Sequence, residues 1–247
     1  MAEPIIREIE VKTVLTKSNL PVSDYSVNPY VGCTHACKYC YASFMKRFTN
    51  HPEEWGSFLD VKYWPEIKRP ERYCGKELFF GSVTDPYNPQ EETSQRTRSL
   101  LKQLQGSGIK LSIQTKSDLV LRDIDLIKTF PNARVGFSIN TLDESFKNDM
   151  DQAASIERRI AAMKKLHDAG IRTTCFISPI FPGITDCEAI IDRVKDQCFP
   201  YRSPPSNLER QAWRQSYPIS SCLQREPRCC QLSCIRQEGL SPAEALP

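Results

Sequence analysis

The sequence predicts an α/β domain built around a parallel sheet. Strand-like and helix-like segments alternate five times between residues 26 and 197, and this alternation favours parallel strands joined by right-handed crossovers. The 247 residues are 40% hydrophobic and 26% charged, which is typical of a globular chain with a sizeable core. Ligand-binding side chains should then lie at the carboxyl ends of the strands.

Each predicted element follows from a local pattern. Alternating or continuous apolar runs predict strands at residues 26–32, 77–83, 109–115, 133–139 and 171–178. Apolar stripes and terminal signals predict helices at residues 41–48, 91–105, 122–130, 155–169 and 186–197. The clearest helix has Ile156, Ile160, Met163 and Leu166 on one stripe and Gly170 beyond its end. Residues 50–76 contain three prolines and are interpreted as a connecting excursion.

Composition limits the surroundings and partners of the chain. The net charge of +3 is too small to indicate a nucleic-acid partner. The sequence shows neither a secretory signal nor an apolar run long enough to span a membrane, so we expect a cytoplasmic protein. Eleven cysteines in a cytoplasmic chain favour metal binding or catalysis over structural disulfides.

The pattern changes after Cys198. Residues 199–247 contain no lysine, whereas the first 198 residues contain 15, and their apolar residues show no period. We therefore divide the chain into a lead-in at 1–24, a core domain at 25–198 and an irregular tail at 199–247. Our hypotheses are that the tail is disordered, or is an out-of-frame translation that replaces the genuine C-terminus.

Cys33, Cys37 and Cys40 form the most informative cluster. Three thiolates at this spacing can bind three irons of a [4Fe–4S] cubane from one loop, which leaves the fourth iron open to a ligand. The alternatives are a zinc site and three unconnected thiols. Zinc requires a fourth ligand, and His35 lies inside the first gap, where it would strain to reach the same metal. We interpret His35 as a structural or supporting residue.

The run from Asn28 to Ala42, with Tyr39 before the last cysteine, resembles the radical S-adenosylmethionine (SAM) superfamily. It looks most like the spore photoproduct lyase-like branch, and in particular the radical SAM mobile pair protein B group. The resemblance covers roughly residues 20–197. It implies a partial TIM-like (β/α) radical SAM barrel, of which five βα units are readable and a sixth would fall where the tail begins.

The resemblance also implies cofactors and their contacts. SAM would chelate the open iron and be cleaved reductively to a 5′-deoxyadenosyl radical that acts on an unknown substrate. Tyr39 would pack on the adenine side, and residues 178–186 would form an adenine-side loop. The further implied SAM contacts are Thr84, Asp85, Lys116, Ser138 and Asn140. Residue reasoning leaves simpler roles open: a turn at Asp85, a solvated charge at Lys116 and a helix N-cap at Thr185.

The resemblance says little about substrate and partners. Spore photoproduct lyase uses a cysteine hydrogen donor just before the Ser/Thr-Asp pair, and here that position is Val83, which cannot donate a hydrogen atom as a thiol does. A nucleic-acid substrate is thus implied by family analogy only. An electron donor such as flavodoxin or ferredoxin is the implied partner.

Two rival functions remain at this stage. In the first, the chain is a non-catalytic iron–sulfur or zinc-binding module. In the second, it is an inactive truncated remnant of a radical SAM enzyme. Without a sixth βα unit, the fifth strand would remain an open sheet edge. We therefore expect poor solubility or weak activity of the chain. Cys222, Cys229, Cys230 and Cys234 match no auxiliary-cluster spacing, and the remaining isolated cysteines are expected to be buried thiols.

Overall fold

The computed structural model describes residues 3–198 and 230–232. The strands in this part of the chain are β1 (Ile5–Glu10), β2 (Leu15–Lys17), β3 (Tyr25–Val27), β4 (Tyr30–Gly32), β5 (Phe58–Tyr63), β6 (Glu77–Phe80), β7 (Lys110–Thr115), β8 (Arg134–Ser138), β9 (Arg172–Ile177) and β10 (Cys230–Leu232). The α-helices are α1 (Glu91–Ser94), α2 (Arg96–Leu104), α3 (Ile124–Ile127), α4 (Glu144–Met150), α5 (Ile156–Asp168) and α6 (Cys187–Val194). Short 3₁₀ helices cover Tyr41–Phe48, Pro70–Tyr73, Asp118–Asp123 and Lys195–Gln197.

The main sheet confirms the predicted α/β class. Its strand order is β10-β9-β8-β7-β6-β3-β2, and every neighbouring pair is parallel except β2 with β3. The intervening helices contribute their apolar faces to one core cluster with the inward side chains of the strands. Among the described residues, no helix has both the length and the apolar character that a membrane crossing demands.

Helix α5 shows how the sequence pattern builds this core. The predicted stripe of Ile156, Ile160, Met163 and Leu166 is buried as expected. Ser155 is the N-cap, and its side chain accepts a hydrogen bond from the backbone N–H of Arg158. The stripe packs the helix on the sheet, so the loops at its two ends are held in fixed positions beside β8 and β9.

A second, three-stranded sheet was not predicted. Its order is β1-β5-β4, so the lead-in and the excursion at residues 50–76 each contribute a strand. The predicted strand at 26–32 is wrong as one element, because β3 pairs in the main sheet and β4 pairs in the small one. The chain therefore changes sheets directly before Cys33, and the cysteine loop begins where the two sheets meet.

Two other elements differ from their predictions. The helix predicted at 91–105 is interrupted at Gln95, whose φ of +49° is left-handed, so that α1 ends and α2 begins there. Helix α4 was not predicted, because its seven residues carry one buried side chain and no readable stripe.

The tail lies almost entirely outside the described residues. The hypotheses that it is disordered or out of frame therefore concern residues that the structure does not describe. Its described part is β10, which pairs in parallel with β9. The tail was expected to be irregular, but its three described residues form this strand. The predicted open edge of the fifth strand is wrong over the same three positions, which place a sixth parallel strand beside β9.

A buried ionic network supports the start of the cysteine loop. The Glu91 carboxylate is fully buried and accepts hydrogen bonds from the Tyr30 hydroxyl and from the Arg122 guanidinium, the latter at 2.5 Å. Arg122 also binds Asp123, which accepts from Tyr87 at 3.1 Å. Because Tyr30 lies in β4, this network fixes the strand that leads into Cys33.

We predict that Glu91→Ala lowers the free energy of unfolding by about 3–5 kcal/mol, because it leaves the Arg122 charge and the Tyr30 hydroxyl without their buried partner. Urea denaturation monitored by circular dichroism measures the change. Glu92→Ala is the matched control, since Glu92 is exposed, and should change stability by no more than about 0.5 kcal/mol. Equal effects of the two substitutions would contradict the assigned role.

Candidate cofactor site at the carboxyl ends of the strands

The three cysteines lie on a loop whose backbone is tightly turned. Gly32 has φ of +85°, and a Cβ at that position would lie 2.4 Å from the carbonyl oxygen of Phe58, so the close approach of β5 requires glycine. Backbone hydrogen bonds from Ala36 to Cys33 and from Cys40 to Cys37, at 3.3 and 3.1 Å, close two successive turns. None of the three cysteines forms a disulfide, and each is partly exposed.

The loop is fastened to the segment that follows α4. The backbone N–H of Lys38 donates to the carbonyl of Met150 at 2.9 Å, and that of Gln152 donates to the carbonyl of His35 at 2.8 Å. The Tyr39 hydroxyl donates to Asp151 Oδ2 at 2.9 Å. The cysteine loop is thus held from both its backbone and a side chain.

A cavity open to solvent brings the cysteines together with three strand ends. All three cysteines line it, and so do residues that directly follow β6 and β7 or end β8. Of the predicted SAM contacts, the cavity wall includes Thr84, Asp85, Lys116 and Ser138. The side chains therefore gather at the edge where parallel strands place ligand-binding groups. Tyr39 and Asn140 are not part of this wall.

Asp85 uses its carboxylate to connect several of these elements. Its Oδ1 accepts from Tyr87 N at 2.9 Å and Thr115 Oγ1 at 2.7 Å, and its Oδ2 accepts from Lys116 N at 2.7 Å. His35 Nε2 lies 3.1 Å from Oδ2, although it is not aligned for a hydrogen bond. Burial raises the pKa of Asp85, but His35 and these donors outweigh it and lower the pKa to about 2.

The neighbouring Thr84 also connects the sheet to the cysteine loop. Its hydroxyl donates to the carbonyl of Gly32 at 2.5 Å, which ties the end of β6 to the residue before Cys33. With both Asp85 oxygens accepting bonds within the protein, the Thr84-Asp85 pair is a brace between the cysteine loop and the sheet. The turn at Asp85 expected from residue reasoning is also present, since its side chain accepts from the backbone two residues on.

Lys116 differs from Asp85 because its ammonium group is not bound within the protein by any hydrogen bond found in the described residues. It lines the cavity half-buried, with Nζ 5.7 Å from the centre of the Tyr39 ring. Burial lowers the pKa of this group, but electrostatic coupling to the Cys37 thiol and the Tyr39 hydroxyl outweighs burial, and the net direction is upward. Lys116 is therefore a cation available to an anionic ligand.

Ser138 and Asn140 lie at the end of β8. Gln114 Nε2 donates to Ser138 Oγ at 3.1 Å, and Gln114 also lines the cavity. Asn140 is buried, and its Nδ2 has no hydrogen-bond partner within the described residues. Thr34 Oγ1 and His35 Nδ1, on the cysteine loop, are buried and unpartnered in the same way. Such unpaired donors and acceptors are costly in a folded protein and are typical of a site that binds a polar ligand.

The proposed adenine-side loop contacts Tyr39 directly. The ring of Phe181 packs edge-to-face on Tyr39 at 5.6 Å and on Phe146 at 5.2 Å. The alternative of a helix N-cap at Thr185 is wrong, since Asp186 caps α6 by accepting from Ala189 N. Thr185 instead accepts from Phe181 N and donates to the Asn140 carbonyl at 2.7 Å, which joins this loop to the end of β8.

Sequence reasoning missed the group that supports this side of the site. Arg159 is buried, and its guanidinium donates to Asp151 Oδ1 at 2.9 Å and to the Ser138 carbonyl at 3.1 Å. Asp151 in turn binds Tyr39, and its pKa is lowered because Arg159 and other cations outweigh burial, which raises it. The signal was present, because Arg159 follows Ile156 by three positions and so falls on the buried stripe of α5.

The donor set fits an iron–sulfur cluster better than a single metal ion. Among the described residues, no three histidine, cysteine or carboxylate side chains converge on one ion. Zinc ligands must converge on one point, whereas a cubane presents a different iron to each cysteine. All three cysteines line one cavity, as a cubane held by three cysteines requires.

Comparisons with known proteins agree with this geometry. The model of the radical SAM superfamily matches residues 27–194. An uncharacterized protein of the archaeon Methanocaldococcus jannaschii is 41% identical over 192 residues, which cover 77% of this chain and 73% of that protein. The superfamily resemblance predicted from the cysteine spacing is confirmed.

Solved structures show the same fold. A spore photoproduct lyase variant with dinucleoside spore photoproduct matches with a TM-score of 0.59 and 17% identity, over 78% of this chain and 57% of that one. SuiB of Streptococcus suis bound to S-adenosylmethionine matches with a TM-score of 0.54 and 11% identity, over 95% of this chain and 51% of that one. The chain thus spans about half the length of these two solved proteins.

We predict that Gly81→Ala, at the cavity wall, lowers the free energy of unfolding by about 2–5 kcal/mol. Gly81 has φ of +98°, and a Cβ there would lie 2.4 Å from the carbonyl oxygen of Gln114. The control is Gly106→Ala, where φ is +76° but nothing lies within 4 Å. It should cost only the about 1–2 kcal/mol of a left-handed alanine. Urea denaturation of both variants measures the difference, and equal losses would exclude the predicted clash.

Proposed function

The chain belongs to the radical SAM superfamily of enzymes, and on that premise we propose that it cleaves SAM reductively to generate a 5′-deoxyadenosyl radical. Membership implies an iron–sulfur cluster and SAM as cofactors. The finer proposal is that the cluster is [4Fe–4S] and that Cys33, Cys37 and Cys40 hold it. The observation that carries it is one cavity that contains these three thiols, a charged Lys116 and the polar end of β8.

The proposed division of roles follows from what each side chain already contacts. Three thiolates from one loop would leave one iron open, where SAM would bind. Lys116 would pair with the SAM carboxylate, because it is the cavity cation without an internal partner. Ser138 and Asn140 would contact the ribose, and the Nδ2 of Asn140 would thereby gain a partner.

The remaining predicted contacts take supporting roles in this proposal. Thr84 and Asp85 would hold the cysteine loop against β6 and β7, because their oxygens are engaged within the protein. Tyr39 would form part of the adenine side together with Phe181. The two rings, fixed by the hydrogen bond that the Tyr39 hydroxyl donates to Asp151 and by mutual packing, would exclude water from the nucleoside.

When bound and reduced, the cluster would supply one electron to the sulfonium of SAM, which gives methionine and the 5′-deoxyadenosyl radical. The protein would orient SAM and shield the radical. We assign no substrate to this radical, and a nucleic-acid substrate rests on family analogy alone. Val83 lines the cavity where a thiol would be needed for a cysteine hydrogen donor, so we propose a reaction that does not return a hydrogen atom from that position.

Substitution of Cys33, Cys37 or Cys40 by alanine should abolish the cluster. After anaerobic reconstitution we expect about four irons and four sulfides per chain for the unaltered protein. Cys33→Ala, Cys37→Ala and Cys40→Ala should lose this iron content and all formation of 5′-deoxyadenosine with dithionite. Cys74→Ala is the control and should retain both, because Cys74 is exposed, contrary to the expectation that the isolated cysteines are buried. One zinc without sulfide in the unaltered protein would contradict the proposal and favour a zinc module.

The role of Lys116 is tested by SAM affinity. Lys116→Met should raise the Kd of SAM about 10- to 100-fold, the loss expected for one charge-assisted hydrogen bond, while the absorbance of the cluster is unchanged. Anaerobic calorimetry on reconstituted protein measures it. Lys110→Met, at the exposed opposite end of β7, is the control. A Kd that stays the same for both variants would show that Lys116 does not bind SAM.

A further inference from the structure

The 3₁₀ helix Tyr41–Phe48 carries an unusual surface. Tyr41 is 52% exposed, Phe44 is 45% exposed and Phe48 is 68% exposed. Throughout residues 3–198, these are the three aromatic side chains that are exposed, and they share one helix of eight residues. Ala42 is the helix's buried residue. A cluster of exposed aromatic side chains is typical of a surface that binds a partner or a ligand.

The same surface is basic. Lys46 and Arg47 lie in the last turn, Lys38 is exposed just before the helix, and residues 41–48 contain no acidic side chain. The Arg47 guanidinium lies 5.5 Å from the Phe44 ring centre and 4.7 Å from that of Phe48, so charge and aromatic area form one patch. We call Phe44, Lys46, Arg47 and Phe48 the aromatic–basic patch.

The patch is close to the cysteines for a simple reason. Cys40 is the N-cap of this helix, and a 3₁₀ helix rises about 2.0 Å per residue, so Phe44 lies roughly 8 Å and Phe48 roughly 16 Å along the axis from Cys40. Tyr41, at the start of the helix, lines the cavity. One end of the helix therefore touches the candidate site, and the other end is exposed on the surface.

We propose that the aromatic–basic patch docks an acidic one-electron donor protein and delivers its electron to the cluster beside Cys40. This inference rests on the proposed function, which requires an electron from outside the chain. The donor's reduced cofactor loses one electron and the cluster gains it, with no bond made or broken. Electron-transfer interfaces are small and depend on charge complementarity for fast association, and a surface that combines Lys46 and Arg47 with two exposed rings fits such an interface.

Two other occupants fit the patch less well. Single-stranded nucleic acid would stack bases on the rings, but it needs an extended cationic track, and the net charge of the chain is only +3. The chain's own residues beyond 198 carry acidic side chains only at Glu209, Glu226, Glu238 and Glu244, against six arginines, so they offer no excess negative charge. An acidic protein remains the partner that the charge of the patch favours.

The test compares two reductants on the same reconstituted protein. Arg47→Glu and, as a second variant, Phe48→Ser are measured with dithionite, which is small and needs no docking, and with enzymatically reduced flavodoxin as the acidic probe. We expect the flavodoxin-driven rate of 5′-deoxyadenosine formation to fall about 10-fold or more for Arg47→Glu, and the dithionite-driven rate to be unchanged. The flavodoxin-driven rate of the unaltered protein should also fall as salt is raised.

Lys128→Glu is the matched control, because Lys128 is exposed and lies before β8, at the amino-terminal end of that strand. It should leave both rates unchanged. A flavodoxin-driven rate that survives Arg47→Glu, or one that falls equally for Lys128→Glu, would overturn the proposal. So would binding of a labelled single-stranded oligonucleotide that Arg47→Glu abolishes while the flavodoxin rate persists. Absence of dithionite-driven SAM cleavage in the unaltered protein is a separate result, which would refute the proposed function itself.

Discussion

The carboxylate of Asp85 is the interaction on which the candidate site depends. It lies after β6, accepts from the hydroxyl of Thr115, the last residue of β7, and from the backbone of Lys116, and faces His35 between the first two cysteines. This buried anion acts together with the adjacent Thr84, which donates to the Gly32 carbonyl, and the pair holds the cysteine loop against the two strand ends. Its lowered pKa means that the charge is retained in the folded protein, and a buried charge of this kind is stable only while its partners stay in place. The cavity is consequently shaped before any cofactor enters it.

Two buried ionic networks extend this constraint to both flanks of the loop. Glu91 reaches Tyr30, three residues before Cys33, and Arg159 acts through Asp151 on Tyr39, just before Cys40. Buried ion pairs are weak evidence for net stability, because desolvation offsets most of their attraction. Their effect here is better understood as specificity: removal of one partner is costly, so alternative arrangements of the loop are excluded. A site whose supporting side chains are locked in this way holds its ligands in productive geometry.

The sequence predicted the parts of this arrangement that depend on local pattern. The five parallel strands of the alternating region and the stripe of α5 follow from periodicity, and Thr84, Asp85, Lys116 and Ser138 reach one cavity because they follow parallel strands. Pairing partners that are distant in sequence could not be read in this way. The small sheet joins β1 to β5 across about fifty residues, and neither strand has a pattern that names its partner. Arg159 shows the same limit, since the stripe marks it as buried, but only the fold brings Asp151 and Ser138 to its guanidinium.

The position of the cysteine loop explains why one short segment can serve two surfaces. The loop begins where the small sheet meets the main sheet, and both ends are anchored, so its interior faces the cavity while its continuation forms a surface helix. Tyr41 spans the two, because it lines the cavity and donates to the Ser82 carbonyl at the end of β6. Asn28 fixes the same turn from the other side by bonding Ser82 and the backbone of Val83. The cavity wall at Val83 is therefore held by hydrogen bonds from two sides, which is the kind of support that preorganises a binding site.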